Sequence, residues 1–122
     1  MNRPHAPAQQ LPDPTTNTAE GWHCLHSYYQ IDRAALKQLS NDEITAGAQK
    51  VAAVLDPEGE HAPARIQSFA VSGHRADFGL MMLDNDPLKI DAVHQRLLAT
   101  PLGVAFKPTY SFGSITEVSE YV

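Results

Sequence analysis

The chain has 122 residues, 43% hydrophobic and 19% charged, which is one domain with material for a core and too apolar for a disordered polymer. Lys and Arg total 9 against 14 Asp and Glu, a net charge of −5 with neutral histidines, which argues against a nucleic-acid duplex or an anionic membrane surface as the main partner. The single cysteine, Cys24, excludes an internal disulfide and a cysteine-built zinc site and fits a reducing, cytoplasmic compartment. No apolar run approaches the ~20 residues that span a bilayer, and the N-terminus carries no apolar stretch of the kind a secretory signal needs.

Residues 1–20 hold Pro4, Pro7, Pro12 and Pro14 and the polar run Thr15–Thr18, with no period of 2 or 3.6. They are predicted to form a disordered, solvated tail, and residues 21–122 the folded domain. Trp22 to Tyr29 is rich in aromatics and reads as a first strand. Asp32 caps a short helical turn through Leu39. Ser40 and Glu43 form a capping box that opens a helix to Leu55, with Ile44, Ala48, Val51 and Leu55 along one stripe. Asp56-Pro57 and Gly59 stop it, and residues 57–64 are a loop.

Arg65 to Ser72 is a second strand, with Ile66, Phe69 and Val71 as its apolar residues. Gly73-His74-Arg75 makes a tight turn of about three residues into a third strand, Ala76 to Leu83. Asp86 caps and Pro87 begins a second main helix to about residue 99, with Ile90, Val93 and Leu97 on one face. Thr100-Pro101-Leu102-Gly103 ends it, and Thr109 to Val118 is the fourth strand. Strand, helix, strand, strand, helix, strand is the ferredoxin-like βαββαβ plan: an α+β fold with a four-stranded antiparallel sheet and two helices on one face.

In that plan the first and third strands are central, and both are apolar on two sides. The third carries Phe78, Leu80 and Met82 on one face and Met81 and Leu83 on the other. The first carries Trp22, Cys24 and Tyr28 on one and Leu25 and Tyr29 on the other. Helices of one domain cover only one face, and a water-facing sheet alternates apolar with polar. The second face is therefore expected to meet another domain or another copy of the chain.

Few residues gather into a chemical site. His23, Cys24 and His26 are neighbours in sequence, but strand alternation sends His23 away from Cys24 and His26, so no metal site is assigned. His74 and Arg75 in the hairpin turn are candidates for an anion contact, or else turn residues with Asp77 paired to Arg75. His94, beside Gln95 and Arg96, is expected on a solvated helix face. No phosphate loop, nucleophile elbow or Ser/His/Asp set is present at arguable spacing, and no catalytic residue is assigned.

Three segments carry a family resemblance. They are Gly73-His74-Arg75-Ala76-Asp77, Thr100-Pro101-Leu102-Gly103, and Tyr110-Ser111-Phe112 through Thr116-Glu117-Val118-Ser119-Glu120-Tyr121. Together they resemble the chlorite dismutase superfamily, most closely its coproheme decarboxylase branch of heme-dependent peroxidases in bacterial heme biosynthesis. Gly21-Trp22 and Leu25-His26 match the family's opening strand more loosely.

The resemblance implies that the chain is the N-terminal half of a heme-binding oxidoreductase. The family subunit has two ferredoxin-like halves with their sheets packed face to face, and it assembles into rings of five. Its proximal histidine and heme pocket belong to the second half. Peroxide-dependent oxidative decarboxylation converts coproheme to heme b. By the same resemblance, Tyr110 and Tyr121 are the candidate propionate contacts, and no residue before Val122 is the iron ligand. The chain alone is then not expected to hold heme or to turn over. Two other functions are compatible with the residues: a non-catalytic domain that pairs with itself through the bare sheet face, and half of a heme enzyme of the chlorite dismutase type.

Overall fold

A computed structural model describes residues 21–73 and 75–116. The predicted Pro-rich tail, His74, the end of the fourth strand and Tyr121 lie outside the described residues. The order of elements is β1 (His23–Ile31), α1 (Arg33–Lys37), α2 (Asn41–Leu55), β2 (Arg65–Ala70), β3 (Phe78–Asp84), α3 (Pro87–Ala99), a 3-10 turn (Gly103–Ala105) and β4 (Phe106–Ile115). The sheet has four strands in the order β2-β3-β1-β4, every pair antiparallel. β1 and β3 are central, as the ferredoxin-like plan requires.

Local chemistry sets the helix starts. The Asp32 side chain accepts from Ala35 N–H, and Lys107 Nζ lies 3.2 Å from its carboxylate; the Ala35 bond, and then Lys107, hold Asp32 below the ordinary carboxylate range. Ser40 Oγ accepts from Glu43 N–H at 3.1 Å while Glu43 accepts from Ser40 N–H at 3.0 Å, completing the capping box. Those bonds to Ser40 hold the Glu43 carboxyl low as well. Asp86 accepts from Leu88 N–H at 3.0 Å, with Pro87 in the first turn where no donor is needed.

The core lies between the sheet and the helices. Tyr29, Ile66, Leu80, Met82, Ile90, Val93 and Leu97 form one buried cluster. The expected burial of Leu80, Val93 and Leu97 is complete, whereas Ile44, Val51, Leu55 and Phe78 are half-buried. The stripe on α2 is rotated from the expected one. Ala48 is exposed and Gly47 is buried, because α2 crosses the turn after α3 there: a Cβ on Gly47 would stand 2.6 Å from Leu102 Cγ. Asp84, at the end of β3, is buried and accepts from Ala64 N–H and Asp86 N–H, each at 2.9 Å, pinning the incoming loop and the start of α3.

The strand boundaries where β1 meets β4 differ from expectation. β1 runs on to Ile31 because β4 begins at Phe106, three residues before Thr109, and pairs Phe106 with Ile31 and Lys107 with Gln30. Pro108 does not stop β4, since an edge strand can leave its outer positions without a donor. The register slips by one residue between Tyr28 and Tyr29, so that Tyr28 faces Tyr110 while Tyr29 faces Pro108. Thr109 is the extra residue, and its hydroxyl donates to the Tyr28 carbonyl at 3.3 Å. This bulge sends Phe106 to the core side and Tyr110 and Phe112 to the other, although all three are even-numbered.

The β2–β3 connection is also longer than a three-residue turn. It covers residues 71–77, with Gly73 at φ +80° and Val71 N–H bonded to the Asp77 carbonyl at 2.9 Å. Asp77 is not the partner of Arg75. Its Oδ2 accepts from Ile31 N–H at 2.7 Å, and its own N–H donates to the Tyr29 carbonyl at 2.8 Å. The carboxylate thus stitches the connection to the end of β1. Among the described residues, no helix is long and apolar enough to cross a membrane.

Candidate functional site

The helix-free face of the sheet is built by alternation. β1 contributes Cys24, His26 and Tyr28, β3 contributes Gly79, Met81 and Leu83, β2 contributes Phe69, and β4 contributes Tyr110 and Phe112. The rings pair across strands. His26 stacks on Phe112 with centroids 4.7 Å apart and an interplanar angle of 12°. Tyr28 stacks on Tyr110 at 4.3 Å and 13°, and Phe69 meets Tyr28 edge-on at 5.8 Å. Gly79 makes this layer lie flat: a Cβ there would stand 2.6 Å from the Phe69 ring and 3.1 Å from Tyr28.

The layer is open to solvent. Tyr110 is 44% and Phe112 52% exposed, and Met81 is half-buried while its neighbour Met82 is fully enclosed in the core. Contiguous rings and a thioether on this face depart from the apolar–polar alternation of a solvated sheet face. Cys24 and His26 share this face and His23 points to the helix side, so the three do not converge. Arg75 is exposed in the connecting loop, and its expected companion His74 lies outside the described residues, as does Tyr121.

Sequence reasoning misses one polar cluster on the helix side. His94 is half-buried, not solvated, and its Nδ1 lies 2.6 Å from the Tyr29 hydroxyl. His94, Tyr29, Ser27 and Asp91 line a cleft of about 310 Å³ beside β4. Tyr29 has no exposure at all, and this burial pushes its phenol up to about 12, with the Ser27 hydroxyl bond pulling the other way. The signal available in the sequence is weak: His94 falls one position from Val93, at the border of the buried stripe of α3.

A heme would need an axial ligand standing in an apolar slot. A groove of about 580 Å³ between α2 and the sheet is apolar, lined by Ile44, Val51, Leu55, Phe78, Leu102 and Phe106 among others, but no histidine lines it. His26 is stacked on the open face, His94 is tied to Tyr29, His61 stands in an exposed loop beside Glu60, and His23 lines a separate cleft of only about 220 Å³. The described residues therefore do not fit the iron-binding side of a heme site.

A single sheet with helices on one face and an aromatic layer on the other defines a ferredoxin-like domain. Residues 44–122 match the chlorite dismutase family model, and the chain belongs to that family. Solved structures share the fold. A heme-binding protein from Thermus thermophilus is 22% identical with a TM-score of 0.67, the match covering 88% of this chain and 44% of that one. A mutant of chlorite dismutase from Candidatus Nitrospira defluvii is 14% identical with a TM-score of 0.67, over 86% of this chain and 44% of that one. The chlorite dismutase of that organism in complex with imidazole is 15% identical with a TM-score of 0.66, over 85% and 43%. The chain thus spans less than half the length of the structures it matches.

Proposed function

We propose that this chain is the N-terminal half of a heme-handling oxidoreductase subunit, and that its helix-free sheet face docks against a second ferredoxin-like half that holds the heme. The observation that carries this reading is the open aromatic layer of Tyr28, Tyr110, His26, Phe112 and Phe69 with Met81. The match to proteins of about twice its length supports it. A standard interface buries about 800 Å² on each partner, and one face of a four-stranded sheet offers area of that order.

Within the family, the reading we favour is coproheme decarboxylation in the completed subunit, with iron coproporphyrin as substrate and peroxide as oxidant. The support is the Gly73–Asp77, Thr100–Gly103 and Tyr110–Phe112 segments. The second half supplies the iron ligand, since the described residues do not. Tyr110 is the candidate propionate contact on this half, its exposed phenol standing at the docking layer, and Tyr121 is its proposed companion. Higher assembly, as in the rings of the family, would build on that completed subunit.

Titration with iron coproporphyrin tests this, following the Soret band for the chain alone and for the chain with a candidate second half. The expected result is a histidine-ligated spectrum only with the second half. Stoichiometric, histidine-ligated binding by the chain alone would overturn it. A self-pairing domain without heme is the other reading that the same exposed face favours; it predicts a dimer whose state is unchanged by any second half.

A further inference from the structure

We propose that Tyr28 and Tyr110 are a built-in site of oxidative crosslinking, joined on one-electron oxidation into an intramolecular dityrosine that staples β1 to β4. The inference rests on ring geometry and concerns the chain while its helix-free face is uncovered. The two residues are direct register partners on neighbouring strands. Their rings lie face to face, with centroids 4.3 Å apart and 13° from parallel. Tyr28 is also held by the edge of Phe69 at 5.8 Å and by Phe112 at 6.1 Å, so it is not free to swing from its partner. Two reactants already held in contact couple without the entropic cost of an encounter.

The other tyrosine next to the pair is unsuited. Tyr29 points to the opposite face, is fully buried, and has its hydroxyl engaged by His94. Neither Tyr28 nor Tyr110 has its hydroxyl bonded to another side chain among the described residues, and Tyr110 is 44% exposed, so the phenol protons can leave to water.

Each phenol gives up one electron and its hydroxyl proton to become a tyrosyl radical. The two radicals pair their odd electrons in a carbon–carbon bond between positions ortho to the oxygens. The hydrogens on those carbons then move to the oxygens and restore both phenols. Two electrons and two protons have left the pair. Hydrogen peroxide, acting through a peroxidase, accepts them and departs as two molecules of water.

The test is to treat the purified, folded chain at low concentration with a peroxidase and hydrogen peroxide, and to read intact mass, dityrosine fluorescence and fragmentation spectra. The expected product is a monomer lighter by two hydrogens, fluorescent, with the link mapped to residues 28 and 110. Tyr28→Phe and Tyr110→Phe should each abolish it, because phenylalanine keeps the stacked ring and removes the oxidisable phenol, and Tyr121→Phe should leave it intact. Crosslinks only between chains, a product that persists in Tyr110→Phe, or a folded wild-type chain that exhausts the oxidant without losing two hydrogens would each overturn the proposal. The fragment map of the wild-type product decides the matter even if a variant folds poorly.

Discussion

The Tyr29 hydroxyl and His94 Nδ1 lie 2.6 Å apart, joining the end of β1 to α3 through the domain interior. Tyr29 is the largest fully buried side chain, and its ring also stacks on Phe78 with centroids 5.0 Å apart. One residue thus contributes apolar area to the core and a polar tether to the helix, the usual double use of a buried tyrosine. Its neighbour Tyr28 points the other way, into the open aromatic layer. Adjacent tyrosines therefore serve the two faces of the sheet.

Removing that hydroxyl should destabilise the fold without collapsing it. Tyr29→Phe keeps the ring but leaves the half-buried His94 nitrogen without its partner, a change expected to cost about 1–2 kcal/mol. Urea denaturation measures it. A loss below the error of the method would show that water replaces the hydroxyl at no cost.

The same phenol sets a pH dependence. Its folded value of about 12 exceeds the ordinary 10.0, so the unfolded chain ionises first. Stability from this group is fully present below pH 10 and falls as pH rises from 10 through about 12, by at most about 3 kcal/mol. Denaturation across that range should show the advantage of wild type over Tyr29→Phe shrinking. A difference that stays constant would contradict the burial of a protonated phenol.

The helix starts are readable in the sequence because capping is local: Ser40 with Glu43, and Asp86 with Pro87, act within a few residues. The two-sided strands are readable because alternation has a fixed period, and Met81 and Met82 fall on the faces that parity assigns. The bulge at Thr109 is not readable, since it depends on which β1 residue each β4 residue meets. Nor is the rotation of α2, which is set by Leu102, a residue far along the chain that reaches Gly47. The bond from His94 to Tyr29 and the one from Asp77 to Ile31 likewise need the fold before the partners can be named. Of the two propionate candidates, Tyr110 stands on the helix-free face, and its stack on Tyr28 has no signature in the sequence because it depends on the shifted register.

Leu97→Ala tests the core. Leu97 has no exposure, and its truncation should cost about 2–5 kcal/mol. Ala48→Ser, on the exposed side of α2, should stay within about 0.5 kcal/mol. Equal effects in thermal or urea unfolding would mean that the helix faces are misassigned.

Gly47→Ala should destabilise, against the intrinsic helix preference of about 1 kcal/mol in favour of alanine. The new methyl would stand 2.6 Å from Leu102 Cγ and 3.0 Å from Leu102 N, so the turn after α3 must move, at a cost of about 1–3 kcal/mol. A more stable variant would show that α2 does not pack this closely.

The most direct test of the docking face is sedimentation of the purified chain beside Met81→Asp and Met82→Asp. The wild-type chain should associate at micromolar concentration, because its aromatic layer is uncovered. Met81→Asp should shift it to monomer while leaving the fold intact, since a lone charge in a dry interface is costly and the same charge in water is not. Met82→Asp should instead unfold it, because Met82 is fully enclosed in the core. A wild-type chain that sediments as a clean monomer and binds histidine-ligated heme stoichiometrically by itself would contradict the account.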